Sequence, residues 1–489
     1  MSVSFNEIPA NGLTPFFFVE IDNSGAVEAS STIPWKALLL GQQLAAKSAP
    51  KVVTQVTDLA QAVDLFGAGS HLAGMVEAFL ASNPSTPLYV LPLSDAAGST
   101  AATGTLTVTG PATESGSVYL MVGGRSVTVG VEDTDTASEI AASIVAAVNA
   151  NANLPVSAAA VAGVVTLTAK NKGTPGNEID VRLNHYHGQK LPAGVAVAVV
   201  AMSGGATDPD LATEGVAGLL ANRWFQAIAS AYTGADAVAY LEAELATQWK
   251  ANKQTGGVVY AAKNAAFSAL TAYGDVRNSP FSCIFNGENV PTAPWELAAE
   301  LVALVSMHAA IDPARPLQSL AFTFAKGPTE SQENSWVENE TLLQKGLSTF
   351  SVAQDRTLRI QRLVTTYKTS ATGAADPSYR NVETVYTLQA IRYDWATYMR
   401  NKYPRHKLAD DGANFGPGQA VITPKVGRAE AIARFQVWEE LGWVEGLAAF
   451  KSALVVERNT GDVDRLDFLL RPNLVNQFRI GATQVRFIL

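Results

Sequence analysis

The chain has 489 residues, of which 47% are hydrophobic and 16% charged, a balance that excludes disorder and leaves room for two to four domains with full cores. Cys283 is the only cysteine, so a disulfide framework is excluded and a reducing compartment is expected. No basic-then-apolar leader opens the sequence, and no apolar run approaches the roughly 20 residues that cross a bilayer, which argues against signal-peptide secretion and membrane insertion. The net charge of −9 is unevenly distributed. Residues 340–489 hold 20 Lys and Arg against 15 Asp and Glu, whereas residues 1–339 hold 15 against 29. Such a split marks a surface that can meet an oppositely charged partner.

Behind a leader with Pro9, Gly12 and Pro15, the apolar run Phe16, Phe17, Phe18, Val19 and Ile21 reads as a strand. A strand over 37–41, a helix from Asp58 toward Leu80 and a strand over 88–93 follow. No Phe or Trp occurs between Phe79 and Trp224. Within that gap, short strands are expected over 105–109, 117–122, 126–131, 164–169, 179–183 and 195–200, with one helix over 136–150 that begins near Asp133, Asp135 and Glu139. This stretch reads as a small β-rich domain inserted into another. After it, strands over 225–231, 257–262 and 281–285 alternate with helices over 235–250, 264–273 and 294–310, the pattern of a mostly parallel α/β sheet. In the last third, Leu358, Ile360, Leu363 and Val364 are strand-like. Residues 382–400 read as a strand continuing into a helix, stopped by Pro404. A second helix after Pro424 carries the stripe Ile432, Phe435, Trp438 and Leu441. The tail, with Phe478, Ile480, Val485, Phe487, Ile488 and Leu489, reads as strand to its end. Apolar strands at both ends are open to pairing with other chains.

An α/β sheet invites an enzymatic reading, but no catalytic, cofactor or metal residues emerge. Gly67, Gly69 and Gly74 lack dinucleotide-fingerprint spacing, and no G-K-[ST] phosphate loop or G-x-S-x-G elbow occurs. His185 and His187 have no third ligand nearby. Cys283, within Phe281-Ser-Cys-Ile-Phe285, reads as a core thiol, and Asp410 with Asp411 as a charged turn.

Several strings nevertheless resemble a known family. They are Leu363-Val-Thr-Thr-Tyr-Lys-Thr369, Asp376-Pro-Ser-Tyr379, Lys402-Tyr-Pro-Arg-His-Lys407 continuing to Gly412, Gly416-Pro-Gly-Gln419, Thr423-Pro-Lys425, Trp438-Glu-Glu-Leu441, Leu454-Val-Val-Glu-Arg-Asn459 and Leu474-Val-Asn-Gln477. In this order they look like the contractile tail sheath proteins of Mu-like bacteriophages (myovirus tail sheath family). The resemblance implies an α/β and α+β multidomain subunit. Its parts would be an N-terminal arm (1–25), a discontinuous α/β domain (26–94 and 208–339), the inserted β-rich outer domain (95–207), a C-terminal α+β inner domain (340–472) and a C-terminal arm (473–489). It further implies hexameric rings stacked around a tail tube, ended by baseplate and terminator, which contract to drive the tube through the bacterial envelope for genome ejection. The expected location is the virion tail, after assembly in the host cytoplasm. No enzyme activity, cofactor, nucleic-acid contact or membrane insertion is implied.

In such a family, arms from neighbouring subunits add strands to the sheet of a third, a form of β-augmentation. Carried over, the donor residues are Phe16, Phe17, Phe18, Val19, Ile21, Phe478, Ile480, Val485, Phe487, Ile488 and Leu489, and the receiving strands are 358–365 and 453–457. The net basic inner domain would face the tube, with Arg392, Arg400, Lys402, Arg405, Lys407, Arg428 and Arg434 as candidates. The alternatives are another tail component, such as tube or baseplate, and an oligomeric α/β enzyme.

Overall fold

A computed structural model describes residues 33–488 except 413 and 417; the Phe16–Ile21 run and Leu489 lie outside the described residues. The centre is an eight-stranded sheet. Its order is Leu358–Arg362, Leu347–Val352, Ser282–Asn286, Val258–Lys263, Ala227–Ser230, Ala37–Gln42, Leu88–Leu93, Thr54–Gln55. The six inner strands are parallel and the two edge strands antiparallel. Parallel strands need both faces covered, and Ala37–Gln42, buried at every position, shows it. Helix Pro294–Ile311 is long and apolar enough to cross a membrane, but 78% of it is buried inside the protein, packed against the sheet and helix His71–Ser82. Gly74 permits that approach, because a Cβ there would lie 2.3 Å from Glu296 Oε1.

The single helix expected from Asp58 toward Leu80 is two, Leu59–Phe66 and His71–Ser82. Gly67, at φ 90°, ends the first, and the Ser70 side chain accepts from Ala73 N to start the second. The three glycines thus serve a helix break and a close packing contact.

The inserted body follows Leu93, and its two sheets run from Thr103 to Ser203. One antiparallel sheet has the order Ala196–Ser203, Thr103–Thr109, Val164–Ala169, Val156–Val161, and a second has the order Arg125–Val131, Gly116–Val122, Val181–Leu183. Helix Ala137–Ala150, started by a Thr136–Glu139 capping box, buries Ile140, Ala141, Ile144 and Val148 against them. Strand Val156–Val161 escaped the sequence reading. Its hairpin turns through Ala162 at φ 51° and Gly163, and alanine conceals the turn signal that asparagine would have given.

Two expectations for the last third need correction. Strand Leu347–Val352 pairs in parallel with Ser282–Asn286 through Ile284 and Leu347, so the large sheet crosses the boundary expected at 340. Helix Val382–Lys402 is helical from its first residue. Val382, Val385 and Tyr386 pack into the main core, and that burial overrides the strand preference of a segment rich in Val, Thr and Tyr.

The same helix enters a second core. Ala390 and Ile391 join Ala431, Phe435, Trp438, Trp443, Val444, Phe450 and Leu454, with Phe435 stacked on Phe450 at 4.1 Å. Here helix Pro424–Glu440 supplies Phe435 and Trp438, while Leu441 is 40% exposed. Arg434 and Asp394 form a buried ion pair, and Trp438 Nε1 donates to Asp394 at 2.6 Å. Helix Leu447–Ala453 and the antiparallel hairpin Val455–Arg458 with Leu466–Leu469 complete the unit.

Candidate subunit interface

In open α/β sheets the ligand crevice lies at the carboxyl ends of the strands, where strand order reverses. That point falls between Ala37–Gln42 and Ala227–Ser230, and the inserted body fills it. Gln42 Nε2 donates to Lys172 O at 2.9 Å and to Asp95 Oδ1 at 2.7 Å. Asn171 Nδ2 donates to Gln43 O at 2.8 Å, and its Oδ1 accepts from His71 N at 3.0 Å. One strand further, Glu178 accepts from Lys263 Nζ at 3.1 Å and Asn264 N at 2.8 Å. These side chains, which no motif singled out, make the crevice an internal joint.

A second joint is ionic. Arg125 of the inserted body reaches Glu296 at 2.6 and 2.7 Å and Glu77 at 2.5 Å. Burial pushes the Glu296 carboxyl up, to about 7, against the pull of Arg125. Cys283 is buried, 3.2 Å from Ser348 Oγ, and burial pushes its thiol up to about 12. Among the described residues, no group of three or more His, Cys, Asp and Glu could hold a metal ion. Asp410 pairs with Arg458 at 3.3 Å, and Asp411 accepts from Lys425 N at 2.9 Å, as expected of a charged turn.

The tail differs from everything before it. Residues 475–488 contain no strand pairing, and Phe478, Ile480, Val485, Phe487 and Ile488 are between 79% and 98% exposed. Only its root is attached. Asn473–Leu474 pairs with Val444–Glu445, and Val475 N donates to Trp443 O at 3.1 Å. Beyond that, exposure alternates: Val475, Gln477 and Arg479 are half-buried while Asn476, Phe478 and Ile480 are exposed, the period of an extended chain lying on a surface. Arg479 Nη2 donates to Glu383 Oε1 at 2.9 Å and Nη1 to Gln318 Oε1 at 3.3 Å.

The two expected receiving strands lie in different sheets. Leu358–Arg362 is the edge of the large sheet, and its outer side is already occupied: Ser319 N donates to Ile360 O at 2.7 Å, Phe322 N to Leu358 O at 2.9 Å, and Ile360 N to Leu320 O at 2.9 Å. That strand is not free to receive another. Val455–Arg458 pairs only with Leu466–Leu469, and among the described residues neither strand has a backbone partner on its outer edge. Val455 and Leu469 are each 45% exposed. The partner strand, unnoticed in the sequence, was signalled by Asn459-Thr-Gly-Asp462, in which Asn459 Oδ1 accepts from Gly461 N and Asp462 N. The hairpin rests on Gly427, whose added Cβ would lie 3.1 Å from both Leu466 and Phe468.

Three of the seven basic candidates are committed to the fold and do not face outward freely. Arg434 is buried against Asp394. Arg392 donates to Trp249 O at 2.7 Å and lies over its ring at 4.3 Å, and Arg428 donates to Leu454 O and Lys451 O. Arg400, Lys402, Arg405 and Lys407 are exposed, although Lys402 is held by Glu430 at 3.0 Å and Lys407 by Gln419 at 2.8 Å.

A crevice closed by the chain itself and an apolar arm left bare define a structural subunit. Residues 374–488 match the phage tail sheath C-terminal domain, and residues 97–196 match the phage tail sheath protein beta-sandwich domain. The Mu-like prophage FluMu tail sheath protein of Haemophilus influenzae is 38% identical over 490 aligned positions, spanning 100% of both chains. The chain therefore belongs to the phage tail sheath family, in its Mu-like branch: it is a structural virion tail component and not an enzyme. Solved structures with similarity include the sheath tail proteins of Desulfitobacterium hafniense (12% identity, 95% of this chain and 100% of that one, TM-score 0.47) and Listeria innocua (12%, 92% and 93%, TM-score 0.49).

Proposed function

We propose that copies of this chain stack as hexameric rings into a helical sleeve around the tail tube, and that the sleeve shortens to drive the tube through the bacterial envelope for genome ejection. The observation that carries the reading is the pairing of a bare apolar arm with a two-stranded hairpin that, among the described residues, is open on both sides. A lone two-stranded hairpin is marginal in water. Two more strands would complete it, one from the C-terminal arm of one neighbour through Phe478, Ile480, Val485, Phe487, Ile488 and Leu489. The other would come from the N-terminal arm of a second neighbour through Phe16, Phe17, Phe18, Val19 and Ile21.

Magnitudes favour a cooperative mesh. Burying five large apolar side chains stabilises by roughly 1.5–3 kcal/mol each, while ordering the arm backbone costs about 1–2 kcal/mol per residue. One exchange is therefore close to balance, and stability comes from many made together. The exposed Arg400, Lys402, Arg405 and Lys407 supply a screenable attraction to the tube, and baseplate and terminator close the ends of a particle assembled in the host cytoplasm. Contraction draws on free energy stored in the extended sleeve.

Electron microscopy of the purified protein tests the reading: long hollow sleeves are expected, and discrete small oligomers would contradict it. Reversing the charges of Arg400 and Lys402 is expected to weaken assembly on the tube at low salt. Unchanged assembly would remove the electrostatic part.

A further inference from the structure

The arm leaves the subunit from an unexpected place. Its first pairing, Asn473–Leu474 with Val444–Glu445, belongs to the second core, and Ala314, which it meets next, packs against that core as well, but Phe478 and Arg479 turn to the sheet domain. Gln477 Nε2 donates to Ala314 O at 3.5 Å, Gln318 Nε2 to Phe478 O at 3.4 Å, and Arg479 to Gln318 and Glu383. Glu383 is fully buried at the start of helix Val382–Lys402, where its Oε1 also accepts from Leu317 N at 2.9 Å. The Arg479 side chain is 11% exposed, although all residues after Ile480 through Ile488 are exposed. The arm root also borders a cleft of about 330 Å³ lined by Arg362, Asn381 and residues 476–480.

We propose that the Arg479–Glu383 pair is a latch that sets the exit of the C-terminal arm and keeps it off its own hairpin, so that strand exchange takes place between copies. The need follows from connectivity. Among the described residues, strand Leu466–Leu469 is open on its outer edge, and it ends only a few residues before the arm begins. A tether that short gives an effective concentration in the millimolar range, well above that of a neighbour in dilute solution. An unlatched arm would therefore fold back on the nearest open edge. Docking the root on the sheet domain, away from the hairpin, removes that competitor without spending the apolar residues. This positioning role rests on the strand-exchange reading above.

Limited trypsin digestion of the unassembled full-length protein, read by mass spectrometry of the C-terminal peptides, tests the latch itself. Cleavage after the exposed Arg486 is expected to be fast and cleavage after Arg479 slow. Glu383→Gln, which retains an acceptor for Leu317 N, is expected to accelerate the Arg479 cut about tenfold and to reduce the assembled fraction. Arg479→Gln, which leaves Glu383 its bond from Leu317 N, is expected to give the same assembly defect if Glu383→Gln does not fold. Equal cleavage at Arg479 and Arg486 in the wild type would overturn the latch. So would an opened latch with wild-type assembly. If removing residues 485–489 also leaves assembly unchanged, the failure belongs to the strand-exchange reading instead.

Discussion

The eight-stranded sheet and the C-terminal hairpin are both open sheets by topology, yet they treat their edges in opposite ways. The large sheet finishes itself: residues 319–322 cap the outer side of Leu358–Arg362, and the other edge, Thr54–Gln55, is only two residues long. Short or covered edges are the usual protection against unwanted pairing. The hairpin Val455–Arg458 with Leu466–Leu469 has no such cover among the described residues, and an arm without strand pairing begins six residues after it ends. One region closes its own edges, and the other is the one that the proposed strand exchange would complete. An exposed edge beside an exposed apolar arm sets the hairpin apart from the large sheet.

The most severe loss is expected at the core beneath the hairpin. Arg434→Leu would leave Asp394, 0% exposed at its side chain, as a buried charge without its guanidinium. The expected loss is about 3–5 kcal/mol, measured by urea denaturation, and assembly should fail with it. Next is the joint of the self-contained region. Arg125→Met strips Glu296 of its cation. The folded carboxyl already titrates near 7, above its ordinary 4.5, so the native state holds a proton that the unfolded chain has lost. Stability from this group is present at low pH and declines as pH rises from about 4.5 through 7. The variant should therefore lose about 3–5 kcal/mol at pH 8 and clearly less at pH 5, with the C-terminal arm untouched. A smaller effect is expected at the hairpin's seat. Gly427→Val pushes on Leu466 and Phe468 and should cost about 1–3 kcal/mol by overpacking, with a larger proportional loss in assembly than in melting temperature. The smallest is chemical. Cys283, at 0% exposure with its thiol pushed up to about 12, should resist iodoacetamide at pH 8 in the native protein and react fully in urea.

What the sequence made legible follows the same division. The parallel strands announced themselves because burial on both faces requires continuous apolar runs such as Leu38-Leu-Leu40, and the loss of Phe and Trp after Phe79 marked the insertion. Helix Val382–Lys402 was misread at its start because local strand preference yielded to packing from both cores. The plug formed by Asn171, Lys172 and Glu178 was illegible, since single polar residues acquire that role only when two distant segments meet. Basic residues were equally ambiguous: Arg400 and Arg434 look alike in sequence, and only burial distinguishes a surface charge from half of an internal pair. The apolar residues of the tail were plain in the sequence, but residues 475–488 form no strand within this chain, and the anchor on Glu383 and Gln318 depends on residues about 100 to 160 positions away.

Beyond its root, the C-terminal arm is proposed to complete another subunit and to contribute nothing essential to its own. Deleting residues 485–489 tests it most directly, with circular dichroism and thermal melting to report the fold and electron microscopy to report assembly. The expected result is a soluble subunit that melts within a degree or two of the full chain, in keeping with the near-zero stability effect of removing exposed residues, and forms no sleeves. Sleeves of normal length and width from the truncated chain would contradict the account.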